Sequence, residues 1–135
     1  MAYEIHSYQG RNIDPGQKVF AYRNLHRDLW SLVAREGENK GKVIGHADGV
    51  VLIDAKFTVR EGGRQRVIRE RRKNVHAGVI GTMVHIDDPR IKDVLPGTQA
   101  RYNPYAAGTF TLGYTGAPVE SADLVDLAPD GKAYI

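Results

Sequence analysis

The sequence predicts an α+β fold: a mainly antiparallel β-sheet, small-barrel or sandwich-like, with one principal basic helix. Three observations predict it. Short segments rich in branched and aromatic residues, such as "QKVFAYRNL" and "DLWSLVARE", recur between turn residues, as antiparallel strands do. One segment, "EGGRQRVIRERRKN", replaces those residues with arginine, glutamine and glutamate, which favour a helix. The 135 residues contain no cysteine, and a chain of this length forms a single domain, residues 1–135, that buries about two-thirds of its unfolded surface without a disulfide or metal staple.

Taken in order, the first two strand segments flank a polar turn at His26 and Arg27 and read as a hairpin. After "GENKGK", the stretch "KVIGHADGVVLIDAKFTV" is too long and too interrupted for one strand. It reads as two strands joined by "HADG", or as one strand bent at a bulge. The basic helix is expected from near Gly63 to near Asn74, with Asn74 as a left-handed terminator. "NVHAGVIGTMVHI" is strand again and ends at "DDP". The segment Asp87 to Ala100 carries Pro89, Pro96 and Gly97, so a long and comparatively mobile surface loop is expected there. Further strands are expected around Arg101 to Tyr105, Thr109 to Tyr114 and Val119 to Leu127, with a last short one in "KAYI".

The net charge of +3 hides an uneven distribution. Between Arg60 and Asn74 stand seven basic residues against two acidic ones, while the rest of the chain is slightly acidic. Charge concentrated in one element suits a compact anionic ligand or a single strand of nucleic acid. On a helical wheel Arg64 and Arg71 share the face of Val67 and Ile68, whereas Arg66, Arg69 and Lys73 lie opposite, where solvent is expected. Arginines on an apolar face must snorkel, pair with carboxylates, or meet an anion in a pocket. Gly62 and Gly63 ahead of the helix leave its first N–H groups uncapped, an arrangement that favours phosphate, although such a pair also serves as a plain strand-to-helix turn.

The aromatic residues give a second constellation. "ARYNPYAAGTF" gathers Tyr102, Asn103, Tyr105 and Phe110 near a turn, and "FAYRNLHRDLW" gathers Tyr22, Arg23 and Trp30 in the hairpin. Alternation sets Phe20, Tyr22 and Asn24 on one face of the strand and Val19, Ala21 and Arg23 on the other. Aromatic planes near arginines can hold a base by stacking and a phosphate by paired hydrogen bonds. The candidate ligand-binding residues are therefore Arg64, Arg71, Arg23, Tyr22, Tyr102, Asn103 and Tyr105. Core packing is the competing role for every aromatic in this set.

No catalytic set is expected. The five histidines are scattered, and His46 with Asp48 and His85 with Asp87 are only fragments of a metal site. There is no P-loop, nucleophile elbow or dinucleotide fingerprint, so no cofactor is expected either. No apolar run reaches the length of a membrane span and the first ten residues carry no signal-peptide pattern, which makes the cytoplasm the expected compartment.

The segments "YRNLHRDLWSL", "VIGHADGVVLIDAKFTVREGGRQRVIRERRKNVHAGVIG" and "RYNPYAAGTF" resemble those of a group of small phage-encoded proteins, over most of the chain from about Val19 to Ile135. In size and in mixed β-plus-helix organisation the chain is also similar to the anti-Thoeris sponge proteins, which sequester cyclic ADP-ribose signals and, in some members, cyclic oligonucleotides. That resemblance implies a homo-oligomer that holds a phosphorylated nucleotide between arginines and aromatic rings without chemistry, in the host-cell cytoplasm. A nucleic-acid-binding protein using the helix from Arg64 to Lys73, or an inhibitor docking an acidic surface on a host enzyme, are the alternatives.

Overall fold

A computed structural model describes residues 3–85, 88–89 and 97–135. In chain order the elements are β1 (Ile5–Ser7), β2 (Lys18–Arg23), β3 (Trp30–Ala34), β4 (Val43–Ala47), β5 (Val50–Val59), α1 (Glu61–Glu70), β6 (Ala77–Val84), β7 (Gln99–Arg101), β8 (Phe110–Leu112), β9 (Pro118–Val119), β10 (Ser121–Leu127) and β11 (Ala133–Tyr134). All eleven strands form one sheet, ordered β1-β4-β3-β2-β6-β5-β10-β11-β7-β8-β9. Every neighbouring pair in it is antiparallel.

Two expectations are corrected by this architecture. The fold is a β fold with one short helix, not α+β. α1 buries only Val67 and is an excursion between the hairpin partners β5 and β6, too poor in apolar residues to build a layer of its own. Nor is the sheet a closed barrel or a two-sheet sandwich: it is a single open sheet whose edge strands β1 and β9 do not pair with each other. β9 is two residues long and begins with Pro118, whose ring nitrogen has no hydrogen to offer a further strand.

The open sheet is nevertheless strongly coiled. Only Asp48 and Gly49 separate β4 from β5, which stand four places apart in the strand order. Three Cα steps reach about 11 Å, whereas four strand spacings laid flat would span about 19 Å. The sheet must therefore curl until its ends approach, and the long-range hydrogen bonds agree. The Trp30 Nε1 in β3 donates to the Ala128 carbonyl at 2.8 Å, and the Tyr3 hydroxyl donates to Asp126 Oδ1 in β10 at 2.7 Å. Inside the coil lies the main core, with Leu32, Ile44, Leu52 and Leu127 fully buried. Each such side chain contributes about 1.5–3 kcal/mol of burial free energy. A smaller cluster, Val51 and Val84 with Tyr3, Ile53 and Leu124, covers the opposite face.

β5 serves both clusters because it is bulged. Its pairing with β6 shifts register between Ile53 and Lys56, and Asp54 sits there with φ +50°. Before the bulge Val50 and Leu52 point into the main core; after it Ala55 and Phe57 do. The extra residue resets the alternation, so both halves of a ten-residue strand face the same core. The segment Lys42 to Val59 is thus two strands turning at Asp48 and Gly49, and its bulge falls inside the second strand and not at the "HADG" interruption.

The hairpin β2–β3 pairs Val19 with Ala34 through Arg23 with Trp30, as its pattern indicates. Arg101 to Tyr105, expected as a strand, is instead the end of β7 followed by a turn in which Asn103 Oδ1 accepts from the Tyr105 N–H. Val119 to Leu127 is broken at Glu120, where the chain leaves the β9 edge and enters the sheet as β10. The loop expected from Asp87 to Ala100 lies mostly outside the described residues, and its last two positions belong to β7. No helix among the described residues is long and apolar enough to cross a membrane.

Candidate functional site

The helix ends earlier than its composition suggests. Glu70 is its last residue and Arg71, not Asn74, takes the left-handed conformation (φ +53°, ψ +36°), its N–H donating to the Val67 carbonyl. Glycine is favoured at this position, and an arginine there carries backbone strain of about 1 kcal/mol or more. The turn swings the Arg71 side chain off the helix and into the lining of a cavity of ≈ 620 Å³. Lys73, His76, Tyr102, Asn103 and Tyr105 line the same cavity, and Arg23 closes it from β2.

At the other end of the helix, phosphate binding finds no support. Gly62 and Gly63 lie inside the first turn, and Glu61 already places a carboxylate there. A Cβ on Gly63 would stand 2.6 Å from the His76 Cβ, so this glycine permits close packing of helix against strand. Arg64 is engaged on both sides, donating from Nε to the Pro104 carbonyl at 2.9 Å and from Nη1 to Glu61 Oε1 at 2.8 Å. These bonds tie the helix to the turn that carries Tyr105.

His76 anchors the floor. Its Nδ1 lies 2.7 Å from the Asn74 carbonyl, which can only accept, so Nδ1 carries the proton and Nε2 accepts from the Tyr102 hydroxyl at 2.6 Å. Burial raises the Tyr102 pKa, with Arg64 opposing and Glu61 adding to the shift. The Tyr102 ring stacks on Phe110 at 5.1 Å, and Phe110 meets Phe57 of the main core at 4.7 Å. Tyr102 therefore divides its faces between core and cavity, while Tyr105 is 57% exposed.

Arg23, the last residue of β2, stands at a junction. It lines this cavity and a second one of ≈ 500 Å³, in which Arg101, Lys132, Gln99, Trp30 and Phe110 also take part. Its guanidinium lies 5.5 Å from the centre of the Trp30 ring, directly across the hairpin. On the other side Gly131, at φ +84°, passes so close that a Cβ there would stand 3.2 Å from Arg23 Nε. Arg23 Nη1 is buried and has no hydrogen-bond partner among the described residues. Leaving a charged donor unpaired costs about 1–3 kcal/mol or more.

Among the described residues five cations, Arg23, Arg71, Lys73, Arg101 and Lys132, thus line the two connected cavities, and no aspartate or glutamate does. Asp130 lies in the field of two of these cations, Lys132 and Arg23. Burial raises its pKa, but the Tyr134 hydroxyl, the Lys132 backbone and side chain and Arg23 together hold it below the usual carboxylate range. Of the seven residues singled out in the sequence, Arg71, Arg23, Tyr102, Asn103 and Tyr105 meet in the larger cavity, although they come from three separate segments. Arg64 and Tyr22 line neither cavity. Tyr22 is on the opposite face of β2 from Arg23, its ring 5.8 Å from that of Phe20. Lys73, expected on the solvent face of the helix, lies beyond its end at Glu70 and joins the lining, while His76, Arg101 and Lys132 join it without a local signal.

The metal-like fragments have other work. His46 is buried, with Nδ1 3.2 Å from Ser31 Oγ, which in turn accepts from Asn24 Nδ2. Asp48 Oδ1 accepts from the Glu4 N–H, and Asp87 lies outside the described residues. Among the described residues no group of histidines and carboxylates could hold a metal ion.

Two comparisons with known proteins bear on this chain. A family model described as Mycobacterium phage L5 gene 82 protein matches residues 12–135. The Gene 82 protein of Mycobacterium phage L5 is 41% identical over 120 residues, covering 84% of this chain and 92% of that protein. No solved structure matches. The matched region takes in every residue of the two cavities, and with both comparisons meeting on the same phage protein, the chain belongs to the Mycobacterium phage L5 gene 82 protein family.

Proposed function

We propose that this phage protein is a non-catalytic binding protein that sequesters a phosphorylated nucleotide, a cyclic nucleotide immune signal, in the manner of the anti-Thoeris sponges. The observation that carries the reading is the cavity lining among the described residues: five cations, no carboxylate, and aromatic rings beside them. In this reading Arg23 and Arg71 hold phosphate, and Tyr105 and Tyr102 lie against the base. Asn103, whose side-chain oxygen caps its own turn, keeps Tyr105 in place. His76 is the lining group best suited to proton transfer, and its engagement on both ring nitrogens supports holding over chemistry. A homo-oligomer acting in the host-cell cytoplasm completes the proposal.

The test starts with the purified protein. Denaturation and mass spectrometry of the released small molecules, preceded by the absorbance ratio at 260 and 280 nm, should show a nucleotide. Calorimetric titration against cyclic and linear nucleotides should then show binding that Arg71→Ala weakens by about 1.5–3 kcal/mol, while Arg69→Ala changes it little. The nucleic-acid reading reverses that ranking. Arg69, Arg72 and Lys73 are exposed, and a single-stranded oligonucleotide bound along them would lose affinity steeply with salt. Arg66 is a poor member of such a track, since its Nε is paired with Glu70 at 2.9 Å.

A further inference from the structure

Resting on the nucleotide-binding reading, the geometry points to a ligand with two separate phosphates on two nucleoside units, one unit per cavity, bridged across Arg23: a dinucleotide and not a mononucleotide. The two cavities carry the same pattern of charge. Each has its own pair of cations, Arg71 with Lys73 in one and Arg101 with Lys132 in the other. Tyr105 offers an exposed ring in one, Trp30 and Phe110 of the buried core form the wall of the other, and Tyr102 stands between them. Each volume falls within the range of about 300–1,000 Å³ in which one small-molecule moiety is normally held.

Arg23, Ala77, Tyr102 and Asn103 belong to both linings, so the cavities are lobes of one groove. Arg23 is fixed at their junction by the Trp30 ring on one side and Gly131 on the other, and its Nη1 has no partner among the described residues. A guanidinium is a rigid fork with five N–H donors, suited to contacting two anions at once. A mononucleotide would fill one lobe and leave the other cation pair facing solvent. A nucleoside diphosphate would crowd both phosphates at one end of the groove, because they are adjacent. Two phosphates separated by a nucleoside match the lobes, and joining two weakly held units makes the second contact intramolecular.

The experiment is calorimetry with 5′-AMP, ADP, the linear dinucleotide pApA and cyclic di-AMP, together with the guanine counterparts of all four. It uses the wild-type protein and two variants, Arg71→Ala and Arg101→Ala. Both arginines are exposed, and thermal unfolding of each variant checks that it is folded. A linear or cyclic dinucleotide should bind at least tenfold more tightly than the monophosphate or diphosphate of the same base. Both variants should weaken the dinucleotide at least tenfold, whereas only one of them should weaken the monophosphate. The linear and cyclic arms tell which form of the shared chemistry is held. Equal affinity for mononucleotide and dinucleotide, or an Arg101→Ala variant that binds the dinucleotide as wild type does, overturns the two-lobe inference and leaves nucleotide binding standing. Absence of binding to every probe overturns both.

Discussion

Arg71 combines two properties that pull against each other. Its positive φ is a conformation that glycine adopts freely, while its side chain supplies charge to the larger cavity. Arg71→Gly should therefore raise stability by about 0.5–1 kcal/mol while weakening nucleotide binding by tenfold or more. A denaturant melt paired with a titration checks both, and a loss of stability would show that the side chain is a structural brace. Gly131 makes the opposite case. A methyl group there would meet the Arg23 guanidinium and strain a φ of +84°, so Gly131→Ala should cost stability by about 1–3 kcal/mol and weaken binding along with it. His46 gives a pH dependence. Burial, then the charge of Arg27, lowers its pKa from 6.5, so the neutral ring is the one the fold prefers. The stabilisation is complete above the unfolded value and is lost as pH falls through the lower folded one. The unfolding midpoint should drop between about pH 7 and pH 5, and His46→Gln should flatten that drop; an unchanged slope would assign it to other groups.

At the level of single elements, the bulge in β5 is the sharpest test of how sequence sets the fold. Asp54→Gly should be neutral or stabilising by up to about 1 kcal/mol, because its φ is +50°. Deleting Asp54 should prevent folding, since Ala55 and Phe57 would then turn away from the main core. Circular dichroism separates the two outcomes, and a deletion that still melts cooperatively would show that register is set elsewhere. The change of parity is visible in "VVLIDAKFTV", and so are the β2–β3 hairpin and the existence of the helix, because each rests on local alternation or propensity. The helix end was not legible. Asn74 is the better terminator by residue type, yet the chain must turn at Arg71 so that Val75 and His76 can run into β6. Openness of the sheet was not legible either, for it depends on which distant strands pair. The site was legible where residue chemistry was clustered, at Arg23, Tyr102, Asn103 and Tyr105, and silent at Lys132 and Arg101, which become partners only through the pairing of β7 with β11.

Over the whole molecule, the coil is fastened by a few contacts between chain ends. Tyr3 is the outermost of these: its hydroxyl donates to Asp126, a buried carboxyl whose pKa burial raises despite that bond. Tyr3→Phe should lower stability by about 1 kcal/mol and leave nucleotide binding unchanged, since Tyr3 lines neither cavity. Assembly is a separate expectation of the sponge reading. Light scattering at micromolar concentration should give a mass above the 15.0 kDa of one chain, and a strict monomer would remove oligomerisation from the proposal without touching the groove. The same long-range fastening bears on how the protein is made. The bonds that close the coil join residues 98 and 123 positions apart, and β5 finds one of its two neighbours only in β10. Loops of that length close late and slowly. On the ribosome β5 must wait with an open edge until β10 emerges, so synthesis carries a window of exposure to aggregation that lasts over the roughly sixty residues between the two strands.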